Sequence, residues 1–135
     1  MSMVRFDLPT PEGDTIEFWE AAKNERLLIK HCTSCGKFSY YPRPFCPHCW
    51  SEQVEWHEAS GEGTLYTWSV IYNNDQPIFR DRVPYVAAIV DLAEGPRMVT
   101  NVIDCPFEEL SIGMPLKVTY MPISDDYTIP VFVKA

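Results

Sequence analysis

Residues 32–50 read CTSCGKFSYYPRPFCPHCW, and they hold four of the five cysteines in the chain. Cys32 and Cys35 form one Cys-x-x-Cys pair, and Cys46 and Cys49 form a second. A Cys-x-x-Cys turn aims two thiolates at one point, with backbone amides facing the sulfurs. Gly36 follows the first pair, where a tight turn often needs positive φ. Two such knuckles facing each other set four sulfurs in a tetrahedron, as zinc prefers. The shell is closed and leaves no position for water or substrate, so the metal is structural and not catalytic. The pattern predicts one Zn2+ held by Cys32, Cys35, Cys46 and Cys49. Iron in the same sulfur cage and two disulfides are the alternatives that the spacing leaves open. His31 and His48 flank the ligands, but with four sulfurs present they are read as surface residues or neighbours of the cluster. Cys105 stands alone before Pro106 and reads as a small buried hydrophobe rather than a nucleophile.

A chain of 135 residues makes one domain or two small ones. Hydrophobic residues at 46% and charged residues at 22% fit a globular chain and exclude disorder. Twelve prolines and 13% aromatics favour loops, turns and strands over long helices. A ribbon of about 25 residues cannot bury enough apolar area alone, so metal binding supplies its folding energy. No apolar run reaches the roughly 18 residues of a membrane span. The segment MSMVRFDLPTPEGD lacks the apolar core of a signal peptide. The expected location is therefore cytoplasmic, where closely spaced cysteines hold metal more often than they form disulfides.

The net charge of −8 is uneven. Residues 1–50 carry six Lys/Arg and six Asp/Glu and are neutral, whereas residues 51–135 carry five basic and thirteen acidic side chains. An acidic C-terminal half is a poor partner for a polyanion.

Before the ribbon, TIEFWEAAKNERLLIK predicts a short helix from Thr15 to Asn24, with Ile16, Phe18, Trp19 and Ala22 near one side. Glu17 and Glu20 early and Lys23 late suit the helix dipole. Phe18 and Trp19 either pack on the ribbon or face a partner protein. Leu27, Leu28 and Ile29 then lead as a strand into Cys32. After Trp50 the pattern is all strand: VEWHEAS, GEGTLYTWSVIYN, VPYVAAIVDL, RMVTNVID, MPLKVTYMPI and TIPVFVKA. Along the second of these, Tyr66, Trp68, Val70 and Tyr72 alternate against Leu65, Thr67, Ser69 and Ile71, with both faces largely apolar. Gly61, Gly63, Asn73–Asn74, Gly95–Pro96 and Gly113 punctuate the series. Several short strands with turns between them predict a small sandwich or barrel, and a five-stranded Greek-key barrel of the OB type fits the count. Residues CPFEELSIG leave room for one helical turn. The expected organisation is a helical segment over 1–26, a zinc ribbon over 27–55 and a barrel over 56–135. The sequence offers no Gly-rich phosphate loop and no Ser-His-Asp set, so no catalytic residues are assigned. His57, between Trp56 and Glu58, falls in a strand.

The order FWEAAKNERLLIKHC, CTSCG, YPRPFCPHC, EWHEASGEGTLYTWSVIY, VPYVAAIVDLAEGPRMVTNV and IGMPLKV resembles a known family. That family joins a rubredoxin-like zinc ribbon to an OB-fold associated with acyl-CoA metabolism. The resemblance runs from about Thr15 to Phe132, and its most distinctive parts are the YPR-x-x-C-P-x-C and E-x-S-G-x-G-x-x-Y-x-W runs. It implies a mainly β protein with a short N-terminal helix. It also implies a role as a non-catalytic accessory or scaffold subunit beside a thiolase-like or ketoacyl-synthase-like enzyme, helping to bind or position acyl-CoA. Some relatives have lost ribbon cysteines, and this sequence keeps all four. The family supplies no catalytic residues.

On this reading the aromatic strand around Tyr66 and Trp68 could stack an adenine or cover an acyl chain. Arg80, Arg82 and Arg97 could then meet CoA phosphates, against the plainer reading of solvated surface charges. Phe18 and Trp19 are the candidate partner surface. The main alternative is a module binding single-stranded nucleic acid, because zinc ribbons and OB barrels both serve that role; the acidic barrel half opposes it. An electron carrier, with iron in the cage, is the third reading.

Overall fold

The computed structural model describes residues 8–135. The first element is helix α1, Ile16–Lys23, with Glu17 in its first turn and Lys23 in its last. Its buried residues Phe18, Ala21 and Ala22 lie three and four apart, so they share one face. Three short strands follow: β1 (Leu28–Cys32), β2 (Phe38–Ser39) and β3 (Val54–Glu58). They form an antiparallel sheet in the order β2-β1-β3, with Cys32 opposite Val54 and Leu28 opposite Glu58. The strand expected from VEWHEAS therefore exists, but it completes the ribbon sheet and straddles the 55/56 boundary.

The other five strands are β4 (Glu62–Ile71), β5 (Tyr85–Leu92), β6 (Arg97–Val102), β7 (Pro115–Pro122) and β8 (Thr128–Lys134). They close as a barrel in the order β4-β5-β6-β8-β7. Every contact between them is antiparallel except β6 with β8, which pair in parallel at Val102 and Phe132. This is the five-stranded OB-fold. The β6–β7 connection carries one 3-10 turn, Phe107–Glu109, as its length predicts. A four-residue helix, α2 (Pro77–Arg80), lies in the β4–β5 connection and carries no apolar periodicity that would announce it.

Along β5, Val86, Ala88, Val90 and Leu92 are buried while the residues between them are not. This period of two lines the barrel interior. Leu65, Met98, Val102, Leu116 and Phe132 complete it, and Phe18, Leu27 and Ile29 from the helix and ribbon belong to the same buried cluster. Helix, ribbon and barrel thus share one core.

The glycines of the EASGEGTLY run are explained by close approach. A Cβ at Gly63 would lie 2.7 Å from Val90 Cγ1 and 2.8 Å from the Asp91 carbonyl oxygen. Gly61 has φ of 86° and accepts the Val118 N–H at 2.8 Å where β7 closes the barrel. Because the Asp91 contact is backbone, it cannot yield as a side-chain tip would. Gly63→Ala is expected to cost about 1–3 kcal/mol through overpacking. Gly13→Ala, at a position where a Cβ meets nothing within 4 Å, should change stability far less. Thermal unfolding of the two zinc-loaded variants checks the contrast.

Candidate metal centre

The ligand cage is built from two knuckles with the same backbone bonding. In the first, Gly36 N–H donates to Cys32 O at 2.9 Å and Cys32 N–H to Lys37 O at 2.9 Å. In the second, Trp50 N–H donates to Cys46 O at 2.8 Å and Cys46 N–H to Ser51 O at 2.8 Å. The leading cysteine of each knuckle is buried, with Cys32 and Cys46 each 1% exposed, and the trailing ones, Cys35 and Cys49, face solvent. All four sulfurs lie within 4.8 Å of one another. Cys32 and Cys49 Sγ are 3.6 Å apart, and Cys35 and Cys46 Sγ are 3.7 Å apart. A tetrahedron with Zn–S bonds of about 2.3 Å has edges of about 3.8 Å, so the cage fits zinc. The four cysteines are free thiols rather than two disulfides. Backbone N–H groups of Cys35 and His48 point at Cys32 and Cys46 Sγ, each at 3.4 Å, as thiolate ligands require.

Neither histidine joins the cluster. His31 Nδ1 lies 3.3 Å from Glu55 and its ring packs 4.7 Å from Phe38, while His48 Nε2 lies 3.4 Å from the Phe38 carbonyl. His57 packs 4.8 Å from Phe38 and 6.4 Å from His31.

The two knuckles differ most in the residue that follows the second cysteine. Gly36 has φ of 80°, and its counterpart Trp50 has φ of 67°. The left-handed region costs a side-chain-bearing residue about 1–2 kcal/mol. Trp50 is also 73% exposed and stacks on Phe45 at 5.5 Å between ring centres. A large aromatic thus occupies a glycine position and shows its face to solvent. Setting CTSCGK beside CPHCWS reveals the substitution in sequence, although only the structure reveals the exposure.

The other anticipated residues fall in different places. Phe18 is 1% exposed, packed against the rings of Trp19, Tyr40 and Tyr41, so it offers no surface to a partner. Its position on the helix face shared with Ala21 and Ala22 forces that burial. Trp19 is half-buried. Its indole N–H donates to Tyr41 Oη at 3.0 Å and its ring meets Tyr127, which ties α1 to both the ribbon and the β7–β8 turn. Tyr66 and Trp68 do not share a face. A bulge between Leu65 and Thr67 shifts the register, leaving Tyr66 without a partner on β5 and setting Trp68 opposite the buried Ala88. Trp68 packs on the core, and Tyr66 lies outside with the Arg97 guanidinium 3.6 Å above its ring. Arg97 also donates to Asp91 at 2.8 Å, a hydrogen bond that raises its pKa. Arg80 is exposed on α2 and donates to the Asp75 carbonyl at 3.1 Å. Cys105 is half-buried.

Without metal the cage is in electrostatic conflict. The Cys35 backbone N–H, working against desolvation, draws the Cys32 thiol down to about 6. Cys49 is pushed up to about 12: a backbone hydrogen bond from Ser51 acts to lower it, but desolvation and the thiols of Cys32, Cys35 and Cys46 outweigh that bond. The Cys32 thiolate therefore stabilises the metal-free fold above its unfolded value of 9.0, and this is lost as pH falls through about 6. The Cys49 thiol acts with the opposite sign and holds its proton until about pH 12. Zinc must displace the Cys49 proton, so loading at neutral pH should release protons into a weakly buffered solution. The apparent affinity should fall at least about tenfold for each pH unit lowered below neutrality. Cys46→Ser should reduce bound zinc well below one ion per chain, read by elemental analysis.

Comparison with known proteins finds both parts of the chain in one family. Residues 19–55 match the family model described as the ChsH2 rubredoxin-like zinc ribbon domain, and residues 56–120 match the ChsH2 C-terminal OB-fold domain. Over 124 residues the chain is 37% identical to a probable enoyl-CoA hydratase alpha subunit of Thermomonospora curvata; the match covers 92% of this chain but spans only 38% of that relative's length. It is 33% identical over 114 residues to a DUF35 domain-containing scaffold protein of Methanocaldococcus jannaschii, covering 82% of this chain and 79% of that one. Among solved structures, a chain of the Ltp2-ChsH2(DUF35) aldolase superimposes with a TM-score of 0.83 at 36% identity, covering 94% of this chain and 98% of that chain. The chain belongs to the DUF35 family, in the ChsH2 arrangement of a rubredoxin-like zinc ribbon followed by an OB-fold barrel.

Proposed function

We propose that this chain is a non-catalytic accessory subunit that docks on a thiolase-like acyl-CoA enzyme and helps to position acyl-CoA there. The observation that carries the reading is the correspondence, over 98% of its length, with the DUF35 chain of a structure described as an aldolase of two named proteins. The scaffold description of the Methanocaldococcus relative supports the same role. The resemblance of the sequence blocks to companions of thiolase-fold enzymes supplies the partner class.

The Phe45–Trp50 pair is the docking element in this proposal. Its backbone is held by the zinc knuckle, so the aromatic faces are presented with little freedom left to lose on binding. Exposed, rigid aromatics of this kind are the residues that dominate interface energies. Residues 51–135, which carry the whole net charge of −8, favour a partner with a basic surface and repel free polyanions. The CoA phosphates accordingly depend mainly on cations of the partner. On this chain Arg97 is engaged by Asp91 and Tyr66, whereas exposed Arg80 keeps further donors for a phosphate.

Affinity purification at moderate salt from the native lysate, read by mass spectrometry, tests the role. A thiolase-fold protein recovered near one-to-one is the expected outcome. Trp50→Ala should cut that recovery about tenfold or more while leaving bound zinc unchanged. Nucleic acid or RNA-processing proteins in place of a thiolase-fold protein would contradict the proposal.

A further inference from the structure

Residues 72–84, between β4 and β5, form a long connection for a small barrel, and connections of that length in compact domains usually have a role of their own. This one is folded back and fastened. Asn74 Nδ2 donates to the Tyr85 hydroxyl at 3.0 Å, and Asn74 Oδ1 accepts the Gln76 N–H at 3.0 Å. Pro77 then opens α2 with its φ already set for a helix. Arg80 closes the turn through its backbone N–H to Gln76 O at 2.8 Å. The result is a wall that stands off the barrel, with the Phe79 ring 6.3 Å from that of Tyr85.

Behind the wall is a cavity of about 390 Å³. Phe79, Tyr85, Val102, Ile103, Phe107 and Met121 supply its apolar lining. Asn101 also lines it, but its side-chain amide already donates to the Val86 carbonyl at 2.8 Å. The exposed charges of the lining, Arg82 and Asp104, are one of each sign. The volume falls within the range of about 300–1,000 Å³ typical of small-molecule sites. Its place in the fold is also informative. β5 and β6 are the second and third strands of the barrel and residues 72–84 are the loop between its first and second, the region where OB-folds take ligands. Here that region offers apolar walls and no net charge, which disfavours nucleic acid.

We infer that this cavity is a binding site for a small uncharged apolar body, an alkyl chain or a carbocycle, with α2 as its outer wall. The lining supplies burial for carbon, and its two charges, Arg82 and Asp104, are exposed and of opposite sign, so no net charge is left to pair with a buried ion. The site is a property of the isolated chain and does not depend on the accessory role.

Cys105 lines the same cavity with its thiol half-buried, so an occupant that covers it should slow its alkylation. The test uses the zinc-loaded full chain and the neutral dye N-phenyl-1-naphthylamine, with decanol as competitor. Dye fluorescence should rise to saturation with one site per chain, and decanol should reverse it. At about ten times the half-saturating decanol concentration, iodoacetamide labelling of Cys105, read by peptide mass spectrometry, should slow about tenfold. Met121→Trp, which fills the cavity, should abolish both effects with zinc content unchanged. Should that variant fail to fold, Phe79→Ala, which removes the wall, should weaken dye binding at least about fivefold by the loss of its aromatic contact. Non-saturating fluorescence, saturation that leaves Cys105 labelling unchanged, or protection that survives the variants would overturn the inference. An isolated chain that takes up no dye would overturn it too, and would point instead to a cavity filled by a partner's side chain.

Discussion

The four-sulfur cage is the constraint on which the rest of the ribbon depends. β2 has two residues and β1 and β3 have five each, too few to bury a face of their own. Four thiolates on one zinc ion supply what those strands lack, on the order of 10–16 kcal/mol of apparent binding energy in comparable small domains. Cys32 ends β1 and pairs with Val54 at the start of β3, so fixing the sulfur also fixes the register of the sheet. From there β1 carries Ile29, and the residue before the strand, Leu27, into the core shared with the barrel.

That shared core makes the molecule one body. Phe18 is the joint. It sits among Trp19, Tyr40 and Tyr41, and Trp19 in turn reaches Tyr127 in the β7–β8 turn of the barrel. The barrel itself needs no metal: alternate residues of β5 pack against Leu65, Met98, Leu116 and Phe132, and Gly61 and Gly63 let the neighbouring strands close. The division of labour follows from chemistry. Burial holds the larger part, coordination holds the smaller, and the smaller part carries the strained, exposed aromatic Trp50 outward on a rigid mount.

Much of this was legible in the sequence, for identifiable reasons. Ligand spacing encodes the cage directly, because a Cys-x-x-Cys turn has few geometries and four sulfurs complete one tetrahedron. Period-two alternation encodes the strands, as in YVAAIVDL. Alternation does not say which sheet a strand joins, so the expected 55/56 boundary cuts through VEWHE, all of which pairs with β1. Nor does it register a bulge: one extra residue at Tyr66 moved Trp68 to the inside and separated two aromatics that simple alternation puts on one face. Phe18 and Trp19 are adjacent on a helix, and only the packing of Ala21 and Ala22 beside Phe18 decides which of the two is buried. The α2 wall is held by the Asn74–Tyr85 bond, a long-range contact that no local pattern announces.

Hydrogen exchange read by mass spectrometry, with and without a zinc chelator, tests most directly whether coordination and burial divide the molecule in this way. Chelation should strip protection from the amides of β1, β2 and β3 while β5 and β6 keep theirs. Equal loss across ribbon and barrel, or no loss in the ribbon, would contradict the account.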